Sequence, residues 1–231
     1  KISFGSIEGS RLEEIGERAF SGCSTYTTLN LGTGVKKVEY YAFYSNSKLK
    51  TVNITDLVAY AAIDFEEYFS TPVYYSKSIT LNGSNVTELD LPEGTTKIGS
   101  YAFYRCYPIT SVTIPRSVTS IGKNAFYGCS SLESITIPNS VTNINDYVFY
   151  GCTSLSDIII PKSVTSIGEW AFGYCENIKS IVIPKNPTNI TPLTTNTVFL
   201  LIFIPPMRTC LAFLPSVSRT SLRKSSELAL S

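Results

Sequence analysis

The sequence predicts an α/β repeat solenoid. This is a curved rod with short parallel strands on one face, short helical or 3-10 turns on the other, and one interrupting helix-hairpin segment. Three observations carry that expectation. Cys106, Cys129, Cys152 and Cys175 stand 23 residues apart. Apolar positions recur in phase with them: Ile121, Ala125-Phe126, Leu132, Ile135, Ile137, Val141 and Ile144 in one unit, then Phe149, Leu155, Ile158, Ile160, Val164 and Ile167 in the next. Each unit also contains an Ile-x-Ile-Pro phrase, a strand with its own stop.

Each part of the unit has a physical reading. In Ile135-Thr136-Ile137 alternate side chains fall on one side of an extended chain, so both isoleucines face a core. Pro138 has no amide to donate to a ladder, and the strand ends there. So short a strand is stable only when stacked, at about 4.8 Å, on the strand of the next unit. Val141 and Ile144 mark an apolar corner on the way back. Ala125-Phe126, just before Cys129, suits a short helical or 3-10 turn. The glycine of Ile121-Gly122 reads as a sharp bend. At that position Asn145 fits a positive-φ site and Glu39 does not. The same phase is legible in Ile98-Gly99 and Ala102-Phe103, and near the N-terminus in Ile15-Gly16, Ala19-Phe20 and Cys23. Apolar groups buried only against neighbouring units, at this period, follow the logic of a leucine-rich-repeat solenoid.

The phrase Ile-Pro-x-Ser-Val-Thr-x-Ile-Gly-x-x-Ala-Phe-x-x-Cys-x-x-Leu runs from Ile114 to Leu132, and recurs with small changes at 137–155 and 160–178. It resembles the BspA-like leucine-rich repeats of bacterial cell-surface proteins, and the resemblance covers about residues 12–185. It implies a secreted or surface-displayed adhesion and protein-binding module. It carries over no catalytic residue.

Composition narrows the function. Charged residues make up 16% and hydrophobic ones 43%, which excludes a mainly disordered chain. A net charge of +1 argues against a nucleic-acid or anionic-membrane partner. The chain has no histidine, which removes Ser-His-Asp and Cys-His triads and most zinc sites. No apolar run reaches the ~20 residues of a membrane span. The expectation is therefore no enzyme, no cofactor, no metal and no membrane insertion. No signal peptide is visible in the chain.

Four segments follow. Residues 1–56 form N-terminal repeats, 57–88 an interrupting helix and hairpin, 89–186 regular repeats, and 187–231 a non-repeat tail or cap. Leu57, Val58, Ala61, Ala62, Phe65, Tyr68 and Phe69 recur at helical spacing, so 57–69 reads as an amphipathic helix closed by Pro72. Asn82-Gly83 between Ile79-Leu81 and Val86 reads as a two-residue hairpin turn. A competing reading keeps 75–97 as a degenerate coil. The tail, with five prolines and Glu227 as its one acid, reads either as a cap or as a segment without designed structure, for instance after an altered reading frame.

Three candidate surfaces emerge. The strand face away from the core has a central column of Asn30, Asn53, Asp90, Thr113, Thr136, Ile159 and Val182. Beside it lies a column holding Thr28, Thr51, Glu88, Ser111, Ser134, Asp157 and Ser180. This is either a solvated β face or a shallow platform for a protein or glycan partner. The second surface is aromatic, with Tyr41, Tyr101, Tyr147 and Trp170 in one column and Tyr44, Tyr104, Tyr127 and Tyr150 in another. If exposed it suits recognition, second in preference to the strand face, and if not it suits inter-coil packing. The third is the cysteine column, Cys23, Cys106, Cys129, Cys152 and Cys175. It reads as buried free thiols, with disulfides between neighbours, or metal or redox work, as alternatives. Asn46 takes that column once, which suggests a backbone carbonyl awaiting a donor. Cys210, outside the column, is the candidate reactive thiol. The expected partner is a host extracellular-matrix or neighbouring-cell surface protein, or a glycan. The alternative role is a rigid spacer within a larger surface protein.

Overall fold

In a computed structural model of the chain, residues 12–179 and the strands Ile2–Phe4, Ile181–Val182, Asn189–Ile190, Leu201–Phe203 and Cys210–Ala212 are described; for Asp157 and the outlying strands apart from Ile181 this means the backbone alone. Expectations for the rest of the tail, for Ser180 and for the side chains of Val182 and Cys210 fall outside the described residues.

Each regular coil has three sides. The first is a strand of three or four residues. Thr28–Leu31, with Leu29 and Leu31 inward, lies parallel to Ile2–Phe4 and to Thr51–Ile54, and Ile79–Leu81 extends this sheet. A second parallel sheet on the same side orders Glu88–Asp90, Ser111–Thr113, Ser134–Thr136, Asp157–Ile159 and Ile181–Val182. Its register sets Thr113 beside Asp90 and Thr136, and Ile159 beside Thr136 and Val182.

The second side is built from two-residue strands. Glu14–Ile15, Lys37–Val38 and Asp64–Phe65 form one parallel sheet. Lys97–Ile98, Ser120–Ile121, Asn143–Ile144, Ser166–Ile167 and Asn189–Ile190 form the next. Each of these strands whose side chains are described sends one apolar side chain inward, the apolar corner read from Val141 and Ile144. Opposite charges meet across the register where Lys37 Nζ lies 3.0 Å from Glu14, and between the two sheets where Lys97 Nζ lies 2.5 Å from Asp64. Glu39 and Glu66 also reach Lys37, so these acids hold a solvated network and converge on no cleft.

The third side corrects the expectation of helical turns. It is a run of β-turns. In one coil the amides of Ala102, Tyr104 and Cys106 donate to Gly99, Tyr101 and Phe103, each closing a local turn. The intervening amides of Tyr101, Phe103 and Arg105 donate instead to Lys123, Ala125 and Tyr127 of the next coil. Helix is blocked because two residues per coil are left-handed. Arg18, Tyr41, Tyr101, Asn124, Tyr147 and Trp170 form one such column, and Gly22, Ser45, Arg105, Gly128, Gly151 and Tyr174 the other. Among the described residues the helices are α1, Leu57–Ala61, and α2, Val73–Ser76. The molecule is thus a parallel β-solenoid of the leucine-rich-repeat type, and the α component is confined to one irregular stretch.

In that stretch the helix expected over 57–69 stops after Ala61. Asp56 caps its first turn by accepting from the Ala59 amide. Asp64–Phe65 then joins the two-residue sheet, because the apolar pattern there serves a strand with one inward residue. The expected hairpin is present. Ile79–Leu81 pairs antiparallel with Ser84–Asn85 around Asn82 and Gly83, both left-handed as a type I′ turn requires. Beyond it Glu88–Asp90 opens the second sheet, so the hairpin and the resumed coil coexist.

The glycine of Ile-Gly also has a different reason from the one expected. The positive-φ residue is two positions later. A Cβ on Gly99 would lie 1.9 Å from the Ile63 carbonyl oxygen, and one on Gly122 would lie 2.4 Å from the Ser100 nitrogen. Glycine is there because the preceding coil passes that closely. Asn145 takes the position by donating to the Ile121 carbonyl at 2.6 Å.

The core runs through all these coils. Phe103, Phe126, Phe149 and Phe172 stack with centroids 5.4, 5.8 and 5.5 Å apart and are fully buried. Tyr60 of α1 meets the end of the stack edge-on from the irregular stretch, 5.7 Å from Phe103, with its hydroxyl donating to the Ala102 carbonyl at 2.8 Å.

Gly99→Ala is expected to cost about 1–3 kcal/mol in urea denaturation, since a coil must shift to admit the methyl. At Gly16 the nearest atom to a new Cβ is Glu39 Oε2 at 3.8 Å, and Gly16→Ala is expected to stay within about 0.5 kcal/mol of the parent.

Candidate interaction surfaces

The strand face is small and mostly polar. Asp90, Thr113 and Thr136 are exposed, and Ile159 is 76% exposed, an apolar point among them. The file of the central column differs from the one expected, because Thr80 of the inserted coil, not Asp90, is the register partner of Asn53. Asn53 is also internally engaged. Its Oδ1 accepts from the Thr80 hydroxyl at 2.9 Å and from the Gly83 amide at 2.8 Å, while its Nδ2 donates to Asn30 at 3.2 Å. It fastens the hairpin turn to the sheet. Asp157 lies on the same strand face by backbone position, beside Ser134.

The turn side carries the aromatic residues. Tyr104, Tyr127 and Tyr150 stack nearly parallel with centroids 4.8 and 4.7 Å apart. The two columns read from the sequence merge here, since Tyr101 lies 5.6 Å from Tyr104 and Tyr147 lies 5.6 Å from Tyr150. Trp170 lies 6.2 Å from Tyr150. Tyr104 is buried, Tyr101, Tyr127, Tyr147, Tyr150 and Trp170 are half-buried, and Tyr44 and Tyr174 are exposed. Burial raises the phenol pKa of Tyr101, Tyr104, Tyr147 and Tyr150, so their hydroxyls stay protonated donors.

Several members of this row were not singled out in the sequence. Phe69 lies 4.9 Å from Tyr44, Tyr68 lies 4.3 Å from Phe69, and Tyr74 lies 6.2 Å from Tyr104. They carry the row across the irregular stretch, where the 23-residue phase fails. Tyr174 lies 5.0 Å from Tyr150 and stacks with Trp170 at 6.4 Å. Gly173 stands where Tyr150 would recur. A Cβ there would meet the rings of both Tyr150 and Trp170, within 2.9 Å. The available signal was this Gly-Tyr exchange just before Cys175.

A family profile described as the BspA type leucine rich repeat region, with six copies, matches residues 2–70 and 76–196. The chain belongs to the BspA-type leucine-rich repeat family. Among solved structures, it is similar to a leucine rich cell surface protein from Faecalibacterium prausnitzii A2-165. That match has 24% identity and a TM-score of 0.54, and covers 84% of this chain and 60% of that one. It is also similar to the pneumococcal vaccine antigen PcpA, at 20% identity and a TM-score of 0.51, covering 84% of this chain and 63% of that one. These likenesses show the fold. The chain spans about three fifths of the length of either structure. No curated protein matches the chain. No helix among the described residues is long and apolar enough to cross a membrane.

In the BspA-type coils the cysteines form a buried column of free thiols, with Cys23 partly exposed at its start. Three of these thiols donate to the phenylalanine carbonyl of the preceding coil: Cys129 to Phe103 at 3.1 Å, Cys152 to Phe126 at 3.2 Å and Cys175 to Phe149 at 3.0 Å. Asn46 makes the corresponding bond with its Nδ2, to Phe20 at 2.9 Å. The position asks for a small donor, and that is what both residue types share. Burial pushes the Cys106 and Cys175 thiols up to about 12, and those of Cys129 and Cys152 well above their usual value.

The unfolded thiols ionise near about 8.5. The neutral thiols therefore stabilise the BspA-type fold fully below that pH, and their contribution is lost as pH rises from there toward the raised folded values. The melting temperature is expected to fall above about pH 9, and less steeply in Cys152→Ala than in the parent. At pH 8 a thiol reagent is expected to leave Cys106, Cys129, Cys152 and Cys175 unmodified until denaturant is added, and rapid native labelling of all four would contradict the geometry.

Proposed function

We propose that this chain is a non-catalytic interaction module, displayed outside the cell, that binds a protein or glycan partner through the exposed side of the solenoid. The observation that supports this most is the row of tyrosines. Bridged by Phe69, it runs from Tyr41 to Tyr174 across the coils, with Tyr104 buried and the other rings half-buried or exposed. Rigid rings supply contact area at low rotamer cost and keep a hydroxyl for a partner. Membership of a family with a cell-surface relative supports display outside the cell. The proposal that the chain is no enzyme rests on its lack of histidine and on acids spent in surface ion pairs.

The strand face ranks second, because Asn53 is already engaged and its neighbours are short and neutral. The core shared by all coils also favours a rigid spacer as the alternative role.

The test is saturable binding to a panel of purified extracellular-matrix proteins and glycans. Tyr127→Ser with Tyr174→Ser is expected to weaken binding at least tenfold, while Thr113→Lys with Thr136→Lys leaves it within twofold, all variants being checked by thermal melting. The opposite pattern would move the site to the strand face. Saturable binding to no member of the panel would favour the spacer.

A further inference from the structure

Arg18 lies over Tyr41 and Lys123 over Tyr101, but among the described residues two cations lie over one ring of the tyrosine row only at the junction of the irregular stretch with the regular coils. Lys77 closes α2 in left-handed backbone, φ 61°. Its ammonium lies 4.3 Å from the centre of the Tyr74 ring and 6.0 Å from that of Tyr107. Arg105 reaches the same floor from the next coil, with its guanidinium 5.7 Å from the ring centres of both Tyr74 and Tyr104. On the short-strand side Lys36, Lys37 and Lys97 each hold a carboxylate. Among the described residues no carboxylate pairs with Lys77 or Arg105.

Two like charges over one aromatic floor repel each other. Burial and the neighbouring guanidinium together pull the Lys77 ammonium below its usual pKa. Arg105 also stands in the left-handed column that Gly22, Gly128 and Gly151 fill in other coils, where any side chain strains the backbone. Its cation–π contacts with Tyr74 and Tyr104 favour an arginine there, but they leave its charge beside that of Lys77 with no carboxylate among the described residues. A carboxylate near the two heads would relieve the repulsion, and the guanidinium fork matches its two oxygens.

We propose that Lys77 and Arg105 anchor a carboxylate of an acidic protein segment laid along the tyrosine row. The proposal rests on the reading of that row as the partner-binding surface and adds the charge of the partner. A protein segment fits better than a sulfated glycan, because the surrounding tyrosines suit polypeptide contact.

The probes are poly-L-glutamate, heparin and poly-L-lysine, titrated against the full chain at low and high salt. Poly-L-glutamate is expected to bind saturably and to weaken with salt. Arg105→Gly and Lys77→Gln should each weaken it at least tenfold, and the exposed control Lys162→Gln should leave it within twofold. Arg105→Gly installs the residue that Gly128 and Gly151 already supply, so its melting temperature is expected to equal or exceed the parent's. An arginine present only for stability would show a fall instead. Poly-L-glutamate binding that ignores Arg105→Gly overturns the proposal. So does heparin binding that is stronger and lost in that variant, which would give the anchor to a glycan. If poly-L-glutamate does not bind while the matrix panel still depends on Tyr127 and Tyr174, the anchor falls and the row stands. If the panel fails as well, both fall.

Discussion

The distance between neighbouring coils governs this molecule. Parallel ladders hold it at about 4.8 Å on the two stranded sides, and backbone hydrogen bonds, such as that from the Phe103 amide to the Ala125 carbonyl, hold it on the third. A coil has no core of its own, so a residue type that recurs every 23 residues is one that tolerates or uses a copy of itself at that spacing. Phenylalanine stacks on phenylalanine and tyrosine on tyrosine. Cysteine donates to the coil before it, and Gly99 leaves room for the Ile63 carbonyl. Each column is a different solution to the same closeness.

The period made most of the architecture legible. Inward residues such as Ile135 and Ile158, the proline stops, and the hairpin at Asn82-Gly83 follow from local rules and hold in the structure. The third side was not legible in the same way. One of its left-handed columns is filled mostly by residues that ordinarily avoid that backbone region, among them Tyr101, Tyr147 and Trp170, and glycine announces the other only in part, at Gly22, Gly128 and Gly151. The glycines that seemed to mark the bend mark a close approach, a long-range fact invisible in one unit. The stretch 57–69 misled because its spacing suits a helix until Phe65 is claimed by a sheet from the coils before it.

The candidate surface was legible in its repeated part and hidden in its irregular part. Tyr104, Tyr127 and Tyr150 declare themselves by spacing. Tyr68, Tyr74, Lys77 and Tyr107 do not, since they lie in or beside the segment where the phase is lost. Yet that segment joins both ends of the row and brings two cations together over Tyr74. Irregularity in a repeat protein is where a generic surface becomes an individual one. The same segment is held firmly, by Tyr60 in the core and by Asn53 at its hairpin.

The position of Trp170 has an optical consequence. It is the one tryptophan in the chain, and it stands at the end of a file of stacked phenols, in contact with Tyr150 and Tyr174. Light absorbed along that file passes downhill in energy to the indole. The molecule therefore carries a built-in antenna, and any ligand that settles between donor rings and acceptor changes the colour balance of its ultraviolet emission.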